Sequence, residues 1–330
     1  MAKRARKEST GEEDQVHALP PSMNGDQPLQ TSYSYHSNVP DILLDSKVIM
    51  GVDEAGRGPV LGPLVYGIAY CSVDYEDTLK EAGFADSKAL TAQSRQSLLH
   101  KLISLSDQLS WSVRVMAPQD ISAGMLKKVP YNLNAQSHDA TFSLITDVLS
   151  KGVQLEHVYV DTVGPAKSYQ SKLEVAFPNI GFTVASKADS LFPIVSAASI
   201  AAKVTRDAII DNWTFVEPIN TNSYASTSSS KKLKSENSSI DVSEDHDQPM
   251  KLGSGYPGDP NTVAWLKNNL DSVFGLPQLA RFSWSTVKNL LESNSHCVNW
   301  MDDNENVFKT YGNNEPSSIK KLGVQSISSM

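Results

Sequence analysis

Val48-Ile49-Met50-Gly51-Val52-Asp53-Glu54-Ala55-Gly56-Arg57-Gly58-Pro59 is the stretch on which the fold turns. An apolar, β-branched run ends on two acids, and a glycine-rich turn leads into a second run, Leu64-Val65-Tyr66-Gly67-Ile68-Ala69-Tyr70. Strand, glycine turn and strand in succession make a hairpin-like start. Acids are disfavoured within strands, so Asp53 and Glu54 directly behind a buried run demand a chemical reason.

Outward from that hairpin, Leu98, Leu99, Leu102, Ile103 and Leu105 recur at helical spacing and predict an amphipathic helix over 91–109. Trp111, Val113 and Val115 then alternate as a strand, and residues 132–150 repeat the helical pattern through Phe142, Leu144, Ile145, Val148 and Leu149. Val158-Tyr159-Val160 reads as a short buried strand ending on Asp161, and a further strand near 182–185 leads through Ser186-Lys187-Ala188 to Asp189. The Ala-rich stretch 193–212 is expected to be a helix whose small residues let it approach the sheet, and helices follow near 260–270 and 285–293. Strands first, with strand and helix alternating afterwards, imply an α/β fold: a mixed sheet flanked by helices.

Polar stretches set the expected boundaries. Residues 1–45 read as a disordered N-terminal tail, 46–216 as the α/β domain and 217–250 as a disordered Ser-rich insertion. Residues 251–293 read as a small C-terminal helical subdomain completing the unit, and 294–330 as a flexible tail or a partner-binding segment. The insertion, with Ser228-Ser229-Ser230-Lys231-Lys232 and Ser243-Glu244-Asp245-His246-Asp247, has no core-forming capacity. At 40% hydrophobic content the 330 residues cannot all pack into one core.

The net charge of −8 taken alone argues against a polyanionic partner. Counted by segment it does not. Residues 1–45 carry four Lys/Arg and seven Asp/Glu, 217–250 carry three and six, and 294–330 carry three and four, so seven of the eight negative charges lie in the polar stretches. The remainder holds nineteen basic and twenty acidic residues. Two bound divalent cations would bring it to about +3 and remove its repulsion of a phosphate backbone. Cys71 and Cys297 match neither a metal-ligand spacing nor a disulfide framework, which points to a reducing compartment. No run of about 18 apolar residues is present to span a membrane, and no apolar stretch follows the N-terminus as a signal peptide requires. The expectation is a soluble intracellular protein. Lys3-Arg4-Ala5-Arg6-Lys7 is either a nuclear import signal or an ordinary basic chain start, so the nucleus is expected, with the cytoplasm as the alternative.

Three apolar runs are associated with acids: Asp53 and Glu54 after the first, Asp161 after 158–160, and Asp189 before Leu191-Phe192-Pro193-Ile194-Val195. Strand ends in α/β sheets gather at one edge, where ligand sites form. Four carboxylates there raise one another's pKa unless divalent cations neutralise them. Oxygen-only ligands suit Mg²⁺ or Mn²⁺, whereas zinc brings His or Cys. Two such ions can clamp an in-line phosphoryl displacement, so phosphodiester hydrolysis is the implied chemistry. Taken singly, each Asp has an ordinary explanation as a turn former or helix N-cap.

The Gly51–Pro59 segment, Asp86-Ser87-Lys88, Tyr159-Val160-Asp161, the run from Lys187-Ala188-Asp189 through Ser196 to Asp207, and Ser254-Gly255-Tyr256-Pro257 together resemble type 2 ribonuclease H, the ribonuclease HII family. They stand in that family's order over roughly 46–215 and 251–292. With its extensions and the Tyr131-Asn132-Leu133-Asn134 segment, the chain is most similar to the catalytic chains of the eukaryotic heterotrimeric enzymes. The resemblance implies a ribonuclease H-like fold and two Mg²⁺ or Mn²⁺ ions. It also implies two accessory subunits, and as substrates RNA/DNA hybrids and DNA containing ribonucleotides, with roles in ribonucleotide removal and RNA primer removal. Carried over, it makes Asp53 the shared ligand of both ions, with Glu54, Asp161 and Asp189 completing the shells. Gly56-Arg57-Gly58 would read the ribose 2′-hydroxyl, since glycines let backbone approach a sugar closely. Arg57 and Lys88, with Ser87 beside it, would hold phosphates. Lys203 and Arg206, three apart on a helix, either line the same groove or form a solvated face. Tyr256 either packs against the sugar following the ribonucleotide or anchors a turn on the core.

Two rival readings fit the residues less well. A dinucleotide site needs a third glycine one residue earlier than Gly62 and a helix where a second strand is expected. A non-catalytic scaffold that binds hybrids would be expected to lack one of the acids or the glycine turn, and all are present.

Overall fold

The apolar run that opens the chain's readable pattern becomes a central strand of a six-stranded sheet. The computed structural model describes residues 19–23, 27–84, 90–162, 164–219 and 252–296. In chain order the elements are β1 (Tyr33–His36), β2 (Lys47–Ala55), β3 (Leu64–Ser72), α1 (Glu76–Glu81), α2 (Ala92–Ser104), β4 (Leu109–Met116), α3 (Pro118–Met125) and α4 (Leu133–Ser150). There follow β5 (Gln154–Asp161), α5 (Ala166–Ala176), β6 (Gly181–Ala185), α6 (Ala188–Leu191), α7 (Pro193–Asp211), α8 (Pro260–Asn268) and α9 (Ser285–Asn294). The strand order is β1-β4-β3-β2-β5-β6. β1 to β2 are antiparallel across β4 and β3, whereas β2, β5 and β6 run parallel, so the sheet is mixed as expected.

α7 lies on one face because two strand positions lack side chains. A Cβ on Gly51 of β2 would collide with the Ile194 carbonyl, and one on Gly67 of β3 with the Ala198 carbonyl. Ala197, Ala198, Ala201 and Ala202 complete the close approach, all fully buried. On the opposite face, Leu144, Ile145 and Val148 of α4, with Tyr169 and Leu173 of α5, cover Val48, Met50 and Val52 of β2. Truncating Leu144 to Ala is expected to cost about 2–5 kcal/mol through lost transfer energy and a residual cavity. Helix starts are capped where the sequence supplies short polar side chains: Thr91 Oγ1 accepts from Ser94 N at 3.1 Å, and Asn132 Oδ1 from Ala135 N at 2.9 Å.

The expected tail boundary at 45 is corrected. Tyr33–His36 pairs with β4 as an edge strand, and Tyr35 packs on Trp111 with ring centroids 5.0 Å apart. Ser32 donates from both N and Oγ to Asp120, which fastens the strand's entry. A polar segment is held here by two tyrosines and a non-local ladder that composition does not register. Residues 1–18, the Lys3–Lys7 cluster included, lie outside the described residues, as do 85–89 with Ser87 and Lys88, 220–251 within the Ser-rich stretch, and 297–330. Glu217 is tied to the fold, its Oε1 accepting from Gln278 N at 2.9 Å. The stretch from 252 onward is continuous with the α7-side core through Leu252, Trp265, Leu266, Leu279 and Val287.

Candidate active site

Val52 of β2 pairs with Val160 of β5, so Asp53 and Asp161 are the next residues on neighbouring parallel strands. Adjacent strands lie about 4.8 Å apart, and residues in register project to the same face. That face carries α7. The Ser199 hydroxyl donates to Asp53, and Lys203, one turn further along α7, faces the same carboxylate with its positive charge. Asp161 pairs with Ala185 at the end of β6, and Asp189 follows four residues later in α6, 1% exposed. The chain reaches it through Lys187, whose φ of 59° is the only positive value at a non-glycine position among the described residues. A left-handed lysine two residues before a buried acid is local strain of the kind that surrounding structure must hold in place.

These acids are in electrostatic conflict. Asp53, 5% exposed, has its carboxyl pushed up to about 7, first by burial and then by Asp161, against the opposing effects of Ser199, the Glu54 N–H and Lys203. Glu54 is pushed up to about 8, first by burial and then by Asp53, with Asp161 and Asp189 adding to it and Arg57 opposing. Two carboxylates are partly occupied by backbone: Asp53 Oδ1 accepts from Glu54 N at 2.8 Å, and Asp161 Oδ1 from Thr162 N at 2.9 Å and Ala188 N at 3.2 Å. Among the described residues no three acids, histidines or cysteines close into a ready metal cage. The donor set nonetheless fits a hard divalent cation: it is all oxygen, Asp53 and Asp189 are buried, and the raised carboxyls of Asp53 and Glu54 ionise more readily beside a positive charge.

Beside the acids stands the glycine turn. Gly56 has φ +83°, a conformation natural only to glycine, and a Cβ there would run into the Arg206 side chain. Arg57 reaches across to the start of α4, Nη1 donating to Ser137 Oγ at 2.9 Å and Nη2 to Asn134 Oδ1. Tyr256 packs on the turn's other flank, since a Cβ on Gly58 would fall 2.8 Å from the ring. The ring is 52% exposed, so it covers the turn rather than anchoring in the core. Its loop is fixed by Gly255 O, which accepts from Val60 N at 2.7 Å, and by Gly255 N, which donates to Thr262 Oγ1 at 3.0 Å.

Asp53, Glu54, Asp161, Asp189, Gly56, Arg57, Gly58, Tyr256 and Lys203 thus share one edge of the sheet. Arg206 differs from both readings of its helix face. Its side chain is largely buried beneath Gly56, Nη1 lies 3.8 Å from Asp207, and burial lowers its pKa. Sequence reasoning passed over Ser199, which sits among small helix residues, and Arg281, whose fully buried guanidinium lies under the glycine turn. Neither has a local signal, because both are defined by what they meet across the chain.

The ribonuclease HII family model matches residues 50–235. A ribonuclease H2 subunit of Bos taurus is 41% identical over 292 residues, which are 87% of this chain and 89% of the relative. The Mus musculus protein of the same name is 45% identical over 266 residues, 81% of this chain and 80% of the relative. The solved ribonuclease H2 of Pyrococcus horikoshii OT3 superposes with a TM-score of 0.55 at 29% identity, covering 74% of this chain and 98% of that one. Likeness of this extent, in sequence and in fold alike, leaves one conclusion: the chain belongs to the ribonuclease HII family.

Proposed function

We propose that this ribonuclease H endoribonuclease hydrolyses the RNA strand of RNA/DNA hybrids and cuts 5′ to ribonucleotides embedded in duplex DNA, leaving 5′-phosphates. Asp53, Glu54, Asp161 and Asp189 would hold two Mg²⁺ or Mn²⁺ ions. One observation carries the reading. Mutually repelling carboxylates on the ends of β2 and β5, with Asp53 buried among them, stand beside a glycine turn flanked by an exposed aromatic ring. When bound, the cations would supply a charge clamp on the attacking and leaving oxygens of a phosphodiester.

The chain's own residues then divide the work. Asp53, central in the sheet and facing Ser199 and Lys203, orients the cluster. Gly56-Arg57-Gly58 brings backbone close enough for N–H groups to meet a ribose 2′-hydroxyl, the group that separates RNA from DNA. Tyr256, lying on Gly58, packs on the neighbouring sugar and favours one without the extra oxygen. Arg57 and Lys88 hold phosphates and carry no sequence information. The relatives are named as subunits of ribonuclease H2, which supports assembly with further chains, for which we propose two accessory ones, and the Lys3–Lys7 cluster supports the nucleus as the place of action.

The test is cleavage of two duplexes, a continuous hybrid and a DNA carrying one ribonucleotide, with Mg²⁺, Mn²⁺ or chelator. Metal-dependent cuts with 5′-phosphate ends are expected on both. Tight binding of the hybrid without any cut would instead make the chain a scaffold.

A further inference from the structure

Arg281 is fully buried, and its guanidinium faces backbone carbonyls instead of an acid. A buried guanidinium is costly unless its fork of donors is satisfied. Here Nη2 donates to Gly56 O at 2.5 Å, Nη1 to Arg57 O at 3.1 Å and Nε to Gly62 O at 2.8 Å. Trp284, three residues on, donates from Nε1 to Gly58 O at 3.1 Å, and the Arg281 Cζ lies 4.8 Å from its ring centroid. Every carbonyl of the Gly56-Arg57-Gly58 turn is therefore taken by one Arg-Trp pair from the C-terminal part of the chain.

The geometry of the peptide unit gives this a consequence. In a trans peptide the C=O of one residue and the N–H of the next point in opposite directions. Fixing the Gly56 and Arg57 carbonyls inward fixes the Arg57 and Gly58 N–H groups outward, away from the Arg281 guanidinium. A positive charge on the carbonyl also polarises its peptide, making the paired N–H a stronger donor. Burial, with Arg206 and Arg57 nearby, lowers the Arg281 pKa to about 9, so the guanidinium still carries its charge at neutral pH.

We propose that Arg281, assisted by Trp284, is the positioning residue that sets ribose selection, by holding the glycine turn with its N–H groups toward the sugar. This rests on the turn's sugar-reading role proposed above. The Arg281 guanidinium is fully buried with its donors on the turn's carbonyls, so it acts through the turn. The competing explanation is an ordinary structural arginine that keeps the C-terminal part docked.

The experiment uses the full chain with Mg²⁺ and compares wild type with Trp284→Phe, Arg281→Lys and Arg281→Gln. Two quantities are read: KM for a duplex carrying one ribonucleotide, and the inhibition constant of the same duplex without it. Their ratio measures ribose selection. Amide hydrogen exchange at Arg57 and Gly58, without nucleic acid, measures the hold on the turn. Trp284→Phe keeps a ring under the guanidinium and removes one hydrogen bond, so a loss of about threefold in the ratio is expected, with faster exchange and little change in Tm. Arg281→Gln is expected to lose about tenfold or more, and Arg281→Lys, which keeps the charge without the fork, to fall between. If Arg281→Gln does not fold, the other two variants still decide. Unchanged exchange, an unchanged ratio, or a fall in Tm with both constants rising equally would overturn the proposal. A wild-type ratio near one would overturn the sugar reading and this inference with it, a failure seen in the wild type alone.

Discussion

The acid edge and the glycine turn adjoin each other and are built on opposite principles. At the turn, the carbonyls of Gly56, Arg57 and Gly58 are all satisfied, and the left-handed position is filled by a residue that adopts it freely. At the acid edge, burial and neighbouring charge push Asp53 and Glu54 up to about 7 and about 8. The turn is finished by the protein alone and can discriminate by fixed geometry. The acid edge is finished only with positive charge from outside, which makes it a place for cations and for the polyanion they attract.

The difference is tested most strongly at Asp53. Replacing Asp53 by Asn retains the shape and one acceptor oxygen, turns the other into an amide donor, and removes the charge. Hybrid cleavage should fall by more than about a hundredfold, beyond the 10–100-fold typical of an outer partner of a metal ligand. The cation-free protein should become more stable, because the Asn has no buried charge to desolvate. Cleavage within tenfold of wild type, or a lowered Tm without cation, would break the contrast between the two regions.

A second effect follows from the raised carboxyls. In the unfolded chain Asp53 and Glu54 titrate near 4, whereas in the fold they retain protons to about 7 and about 8. A group with a raised folded pKa contributes stability below its unfolded pKa and loses it as pH rises through the folded value. In chelator, Tm should therefore decline between about pH 5 and pH 8, by several degrees relative to Asp53→Asn. Mg²⁺ should reverse the decline at the alkaline end, where the carboxylates are ionised and able to bind it. A chelated protein whose Tm has the same pH profile as Asp53→Asn would show that the conflict at the acid edge is absent.

Legibility in the sequence divides along the same line. The acid edge was readable because its residues follow apolar runs: β2, β5 and β6 each announce themselves by composition, and their parallel ends bring Asp53, Asp161 and Asp189 to one place. α7 was readable from its alanines. The hold on the glycine turn was not, because Arg281 and Trp284 lie about 225 residues from the carbonyls they meet, and buried arginine has no local signature. β1 was missed for a related reason, being four residues of Tyr, Ser and His whose strand character comes from β4. α5, with Tyr169 and Leu173 as its buried pair, shows too short an apolar stripe to stand out among Lys, Ser, Gln and Glu.

Tyr256 belongs to the turn's side of the comparison and sharpens it more modestly. Its ring lies on Gly58 and is half exposed, so Tyr256→Ala should leave Tm nearly unchanged. Cleavage at a single ribonucleotide in DNA should drop about tenfold more than cleavage of a continuous hybrid, since burying an aromatic face against a sugar is worth on the order of 1–2 kcal/mol. Equal losses on the two substrates with a lower Tm would assign the ring to folding.

The smallest effect is expected from shortening the chain between the part that carries both regions and the part that holds the turn. The acids and the glycine turn precede position 220, whereas Tyr256, Arg281 and Trp284 follow 251, so the hold on the turn depends on the two parts being joined but not on what joins them. Glu217 and Leu252, at either side of that segment, are each fastened independently, the first by Gln278 N and the second within the α7-side core. Deleting 220–248 and bridging with a short Gly/Ser linker changes the closure entropy by roughly 1 kcal/mol or less, because that cost grows only with the logarithm of loop length. Activity on both substrates should stay within about twofold of wild type and unfolding should stay cooperative. If instead the shortened protein lost single-ribonucleotide cleavage while retaining hybrid cleavage, the joining segment would itself be part of how the turn is held, and the division between a self-sufficient turn and a cation-dependent edge would have to be redrawn.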